Sequence, residues 1–160
     1  MLLKYDYHQM FTNAFLYDGN YKTVKKETII IMNKDFFKQQ SKKLLKDYQT
    51  RVFNETEELY EYTPRYFPDI DSIILDFDID EEGQFTLMKA QHIIALLSGF
   101  NKWNELINAS EPLLELGKLL LTNREGYLLE EWKFYENQNL QNFSDERKLE
   151  VFKLVFLNKE

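Results

Sequence analysis

The stretch TLMKAQHIIALLSGFNKWNELI, residues 86–107, decides the fold. Thr86 is a good N-cap residue, and Ala90, Ile94 and Leu97 recur behind it at helical spacing. Gly99 stands where a helix ends with one residue in the left-handed region, and Phe100 can fold back on the last turn. Asn101 is placed to cap a second short helix carrying Trp103, Leu106 and Ile107. Neither helix can bury its apolar face alone. The pair therefore implies a core of helix packed on helix.

Downstream the same grammar repeats. Ser110 caps a helix with Pro112 in its first turn and Leu113, Leu116, Leu119 and Leu120 on its apolar face. Gly126 precedes a helix with Leu128, Leu129, Trp132 and Tyr135. Ser144 opens the last one, with Asp145 and Glu146 in the first turn and Lys159 near the end, as the helix dipole favours. Its apolar face is Leu149, Phe152, Val155 and Phe156.

Upstream, residues 34–53 read as a helix with Phe37, Leu44, Tyr48 and Val52 on one stripe. Asn54-Glu55-Thr56-Glu57 resembles a capping box, which predicts a short helix to about Tyr62. Pro64 and Pro68 then break the chain. Phe77 and Ile79 alternate with Asp76, Asp78 and Asp80, so this stretch reads either as a strand or as a short helix from Ile70 to Phe77. The expected fold is mostly α: a small bundle of about six helices, with room for a short strand or hairpin in 22–31 or 73–80. One helical domain is expected over 32–160, with its core in 34–158. Residues 1–31 lack a sustained period and read as an N-terminal extension, because Met32-Asn33-Lys34-Asp35-Phe36 resembles a start of translation. An ordinary N-terminal hairpin is the alternative.

Bulk numbers narrow the function. The chain has 160 residues, a net charge of −7 and no cysteine. Disulfides and thiolate chemistry are excluded. No apolar run approaches the ~20 residues of a membrane span, and Lys4, Asp6 and His8 interrupt the start of the chain, so a cytoplasmic protein with no membrane partner is expected. Lys outnumbers Arg 16 to 4, with 12 Asn and only four Ala, a bias that suggests an AT-rich, low-GC bacterial source. The acidic balance argues against nucleic acid as the main partner.

Three local patterns remain. Residues 78–89 resemble the calcium loop of the EF-hand family: Asp78, Asp80 and Glu82 stand at positions one, three and five, and Gly83 at six. This resemblance implies calcium as a cofactor. The departure is Lys89 at position twelve, where the family has a bidentate glutamate. The second pattern is Lys34, Lys38, Lys42 and Lys46, one every four residues, which reads as a solvated helix face or as a weak phosphate-binding stripe. Residues 34–51 hold six basic and two acidic residues, +4, whereas 52–84 hold one basic and eleven acidic, −10. The third lies in residues 90–106. Helix, glycine turn and helix suggest a DNA-reading helix-turn-helix, but the second helix has Lys102 against Glu105 and too few base-reading side chains. The segment resembles more closely an A-Q-x-x-I-A-x-x-x-G-F-x-x-W-x-x-L module of uncharacterised bacterial proteins, some grouped near the glyoxalase superfamily. That resemblance implies no catalytic residues. Gly99, Phe100, Trp103 and Leu106 read as its turn and clamp.

Catalytic signatures are otherwise missing. His8 and His92 have no zinc-helix partner, the five glycines are too scattered for a phosphate loop, and the five serines lack a nucleophile elbow. The aromatic and leucine excess in a small acidic helical chain points to a protein-interaction or regulatory module that pairs with a partner or with itself.

Overall fold

The computed structural model describes residues 21–158, with side chains from residue 25 onward. The described residues are mostly helical: seven α-helices and one two-stranded antiparallel sheet. Helix α1, Tyr21–Tyr48, runs through Met32 without a break, so residues 22–31 are helix and not strand. The reading of residues 1–20 as an extension lies outside the described residues.

Helix α1 buries Phe37, Ser41, Leu44, Asp47 and Tyr48, a stripe at helical spacing that packs on the third and fifth helices. It stops at Tyr48 and not at 53. Thr50 Oγ1 donates to the Asp47 carbonyl at 2.7 Å, closing the last turn. Val52, expected on the buried stripe, begins a strand and is 68% exposed.

The hairpin lies at β1, Val52–Asn54, and β2, Leu59–Glu61, rather than in 22–31 or 73–80. Phe53 stands opposite Tyr60, and Val52 opposite Glu61. The capping-box side chain is real but caps a turn. Asn54 Oδ1 accepts from the N–H groups of Thr56 and Glu57 at 2.9 and 3.2 Å. Glu58, at φ 52°, then ends the turn, and the β-favouring pair Leu59-Tyr60 returns beside Val52-Phe53. The short helix expected to reach Tyr62 is therefore this hairpin.

Helix α2, Ile70–Asp76, resolves the strand-or-helix choice over 69–85 in favour of the helix expected from Ile70 to Phe77, burying Ile70, Ile73 and Ile74. Helix α3, Leu87–Leu97, is capped by Thr86, whose side chain accepts from the Lys89 N–H. It leads through Gly99 to α4, Trp103–Ile107. Lys102, not Asn101, is the N-cap residue of α4, and the Glu105 carboxylate takes the Asn101 N–H at 3.2 Å. Helices α5, Glu111–Thr122, and α7, Asp145–Phe152, start at Ser110 and Ser144 as expected. Helix α6, Leu128–Asn139, lies between them.

Helix α5 separates two cores. Leu114 and Leu121 join α1 to α4 in the first, with Phe37, Leu44, Phe67 and Ile94. Leu116 and Leu120 join Trp132, Leu140 and Phe152 in the second. The buried leucines thus occupy two faces of α5, where a single stripe was expected. After Phe152 the chain widens into a π-turn, Lys153–Leu157. That extra residue per turn rotates Val155 outward, so it is exposed although its spacing from Phe152 reads as apolar face. Arg124 ties the layers together with two hydrogen bonds to Asp69, at 2.8 and 2.6 Å, from the end of α5 to the start of α2.

Candidate functional site

The side chains with the densest polar bonding meet where α1 ends. Asp47 is buried, and its carboxylate accepts the backbone N–H groups of Arg65, Tyr66 and Phe67 at 2.9, 2.7 and 2.7 Å. Three donors on one carboxylate fix the irregular 63–69 segment across the helix end. Tyr48, next in sequence, donates its phenol to the Asp80 carbonyl at 2.9 Å. Arg51 lies over the Tyr48 ring at 4.3 Å and donates Nε to the Glu81 carbonyl at 3.0 Å. Tyr62 donates to Glu81 Oε1 at 2.6 Å. Burial raises the pKa of Tyr48 above the usual tyrosine value, against the lowering influence of Arg51. Burial, and then the bond to Glu81, hold Tyr62 far above that value. Both phenols therefore keep their protons at neutral pH and donate them in hydrogen bonds. A shallow cleft of about 270 Å³ opens between Tyr48, Arg51 and residues 83–86.

This junction anchors the base of the hairpin, and its body projects. Thr50 Oγ1 accepts from the Thr63 N–H at 3.0 Å, and Tyr62 holds the return strand. Beyond that base, the two faces of the ribbon are both open. Val52 and Leu59 share one face and are 68% and 48% exposed; Phe53, on the other, is 48% exposed and meets the Tyr60 ring edge-to-face at 5.2 Å. Among the described residues the sheet has two strands only, so each has one edge without a strand beside it.

The acidic loop is organised by the same junction. Asp80 Oδ1 accepts the Glu82 N–H at 3.0 Å, and Asp78 and Glu82 are exposed. The Gln84 carbonyl stands at loop position seven, where the EF-hand uses a backbone oxygen on calcium. Here it accepts Lys89 Nζ at 2.8 Å. The chain's own ammonium thus sits on the oxygen that the ion would need. Among the described residues, no three His, Asp or Glu side chains are grouped so as to hold a metal.

Three of the four lysines fall on the exposed side of α1. Lys38, Lys42 and Lys46 are exposed and Lys34 is half-buried. Lys38 pairs with Asp35 at 3.3 Å, both side chains more than half exposed. His92 is exposed on α3, and His8 lies outside the described residues.

In residues 99–106 the chain turns at Gly99. Gly99 has φ 87°, its N–H bonds the Leu96 carbonyl, and the Phe100 N–H bonds the Ala95 carbonyl at 2.9 Å. Leu106 is fully buried, and Trp103 and Phe100 pack against the same core. Gly117 of α5 lets Phe100 approach: a Cβ there would meet the ring at 2.8 Å.

Sequence reading misses Asp47, Arg51 and the exposed hairpin residues. Asp47 and Arg51 act on backbone groups 18 to 30 residues away, which no local pattern encodes. The hairpin had a signal: two apolar pairs with a β-favouring aromatic, Val52-Phe53 and Leu59-Tyr60, flank five polar residues, 54–58. No helix of the described residues is long and apolar enough to cross a membrane. No protein-family model, curated protein or solved structure matches the chain.

Proposed function

We propose that the protein is a protein-interaction module that docks through the 52–61 hairpin, with binding and not catalysis as its role. The observation that carries this reading is the exposure of Val52, Phe53 and Leu59 on both faces of a ribbon whose base is rigidly held. A short two-stranded ribbon gains little by itself in water and gains most when its faces or edges are covered. Apolar side chains displayed on an anchored arm present that cover to a partner without reordering the body. The phenols and Arg51 beneath it are engaged with carbonyls and Glu81, which suits a support better than a reaction centre.

The test compares the wild-type chain with V52D/F53D/L59D as bait in capture from native lysate, with nuclease present. Helix content is checked by circular dichroism. The reading expects equal helix content and a stoichiometric protein retained by the wild type alone. Retention by both chains would remove the hairpin from the interface. Binding that disappears with nuclease would move it to Lys34, Lys38, Lys42 and Lys46.

A further inference from the structure

We infer that the arm docks on a second copy of the same chain, lying across the exposed face of α1 around a two-fold axis; this rests on the reading of the hairpin as a docking element. The chain carries both halves of the contact. The arm holds Glu55, Glu57, Glu58 and Glu61 with no basic residue between Val52 and Glu61, and the three glutamates of its turn are exposed. The exposed face of α1 carries Lys38, Lys42 and Lys46, with half-buried Lys34 at its edge. Ile31 is three residues before Lys34 and seven before Lys38, so it shares that face. Ile31 and its neighbour Met32 are 59% and 57% exposed. An acidic arm with apolar faces thus meets a basic stripe that begins in exposed apolar residues. The complementarity covers both charge and hydrophobic surface.

Within one copy the two cannot meet fully. Ile31 lies 17 residues before Tyr48 on a continuous helix, which is about 26 Å. The arm leaves beside Tyr48 and reaches roughly 15 Å at the rise of a strand. Its base is pinned by Thr50 and by Tyr62. Two copies of α1 running antiparallel remove the conflict. Each arm, at the C-terminal end of its own α1, then falls beside the N-terminal half of the other. One two-fold axis makes both contacts at once, which is the isologous pairing that closed dimers use.

Charge exchange tests this on the full chain. K38E/K42E and E55K/E57K change exposed side chains only. Sedimentation velocity is run over a protein concentration series at low and high salt, with circular dichroism to confirm the fold. The expected result is a wild-type dimer that weakens with salt. Each variant alone should have a dissociation constant raised at least about thirtyfold, because attractive contacts become repulsive twice over. An equimolar mixture of the two variants should restore the dimer, since every arm again faces an α1 of opposite charge. A wild-type chain that stays monomeric throughout overturns the inference, as does a dimer that neither variant weakens or a mixture that fails to recover. If the chain is monomeric yet V52D/F53D/L59D still loses a captured protein, self-pairing falls and the docking arm stands. If no partner depends on the arm at all, both fall.

Discussion

Between Leu87 and Phe152, order comes from stripes of apolar side chains and from hydroxyl caps at Thr86, Ser110 and Ser144. Between Asp47 and Phe85, it comes from a few polar side chains that reach across space to backbone groups: one carboxylate on three N–H groups, one phenol and one guanidinium on two carbonyls. The first kind of order is redundant, since many residues share each face. The second is concentrated, so each anchor has no substitute. That concentration holds an irregular surface rigid at the end of a long helix, and it leaves the hairpin above it free of the core.

Substitutions separate the two kinds of order. The largest effect is expected within the helical half. Trp132 is fully buried between Phe152, Phe156 and Tyr135, and Trp132→Ala should cost about 3–5 kcal/mol in denaturant unfolding. Asp47→Ala should come close, at roughly 3 kcal/mol, because it leaves three N–H groups, one of them buried and two part-buried, without an acceptor. Asp47→Asn, which keeps one acceptor oxygen, should recover part of that. If Asp47→Ala costs less than a surface mutation, the segment is not anchored as described.

Alkaline pH probes the junction through the difference between the wild type and Tyr62→Phe. The folded-state pKa of Tyr62 is raised, so its contribution is fully present below the unfolded tyrosine value near 10 and is lost as pH rises toward the folded value. Wild-type stability should therefore fall above pH 10, and Tyr62→Phe should show a shallower fall over the same range. Equal slopes would mean that the Tyr62–Glu81 bond is not kept in solution. The smallest effect belongs to the arm. Each of Val52→Asp, Phe53→Asp and Leu59→Asp should change stability by less than about 0.5 kcal/mol, as for surface positions away from the core. A loss of several times that would place the hairpin in the core and end its reading as an arm.

The same contrast explains what was legible beforehand. Thr86, Gly99 and Ser144 act within five residues of themselves, so the helix starts and the turn at Gly99 could be read directly. Asn54 was readable as a capping side chain, but not as the cap of a turn, because the strand pairing that follows depends on residues on both sides. Val52 continued the apolar stripe of α1 by spacing alone. Its exit was set by Asp47 and Thr50, whose partners lie beyond the helix. The acidic loop matched a calcium pattern by residue type, while its carbonyls accept from Tyr48, Arg51 and Lys89, the first two 32 and 30 residues upstream of the carbonyls they bond.

Amide hydrogen exchange of the full chain across a protein concentration series reads the pairing of the hairpin with α1 without any substitution. Exchange should slow with concentration in two segments, 52–61 and 31–42, and stay constant in the helices from Leu87 to Phe152. Exchange in those two segments that does not change with concentration, while another surface becomes protected, would contradict that pairing.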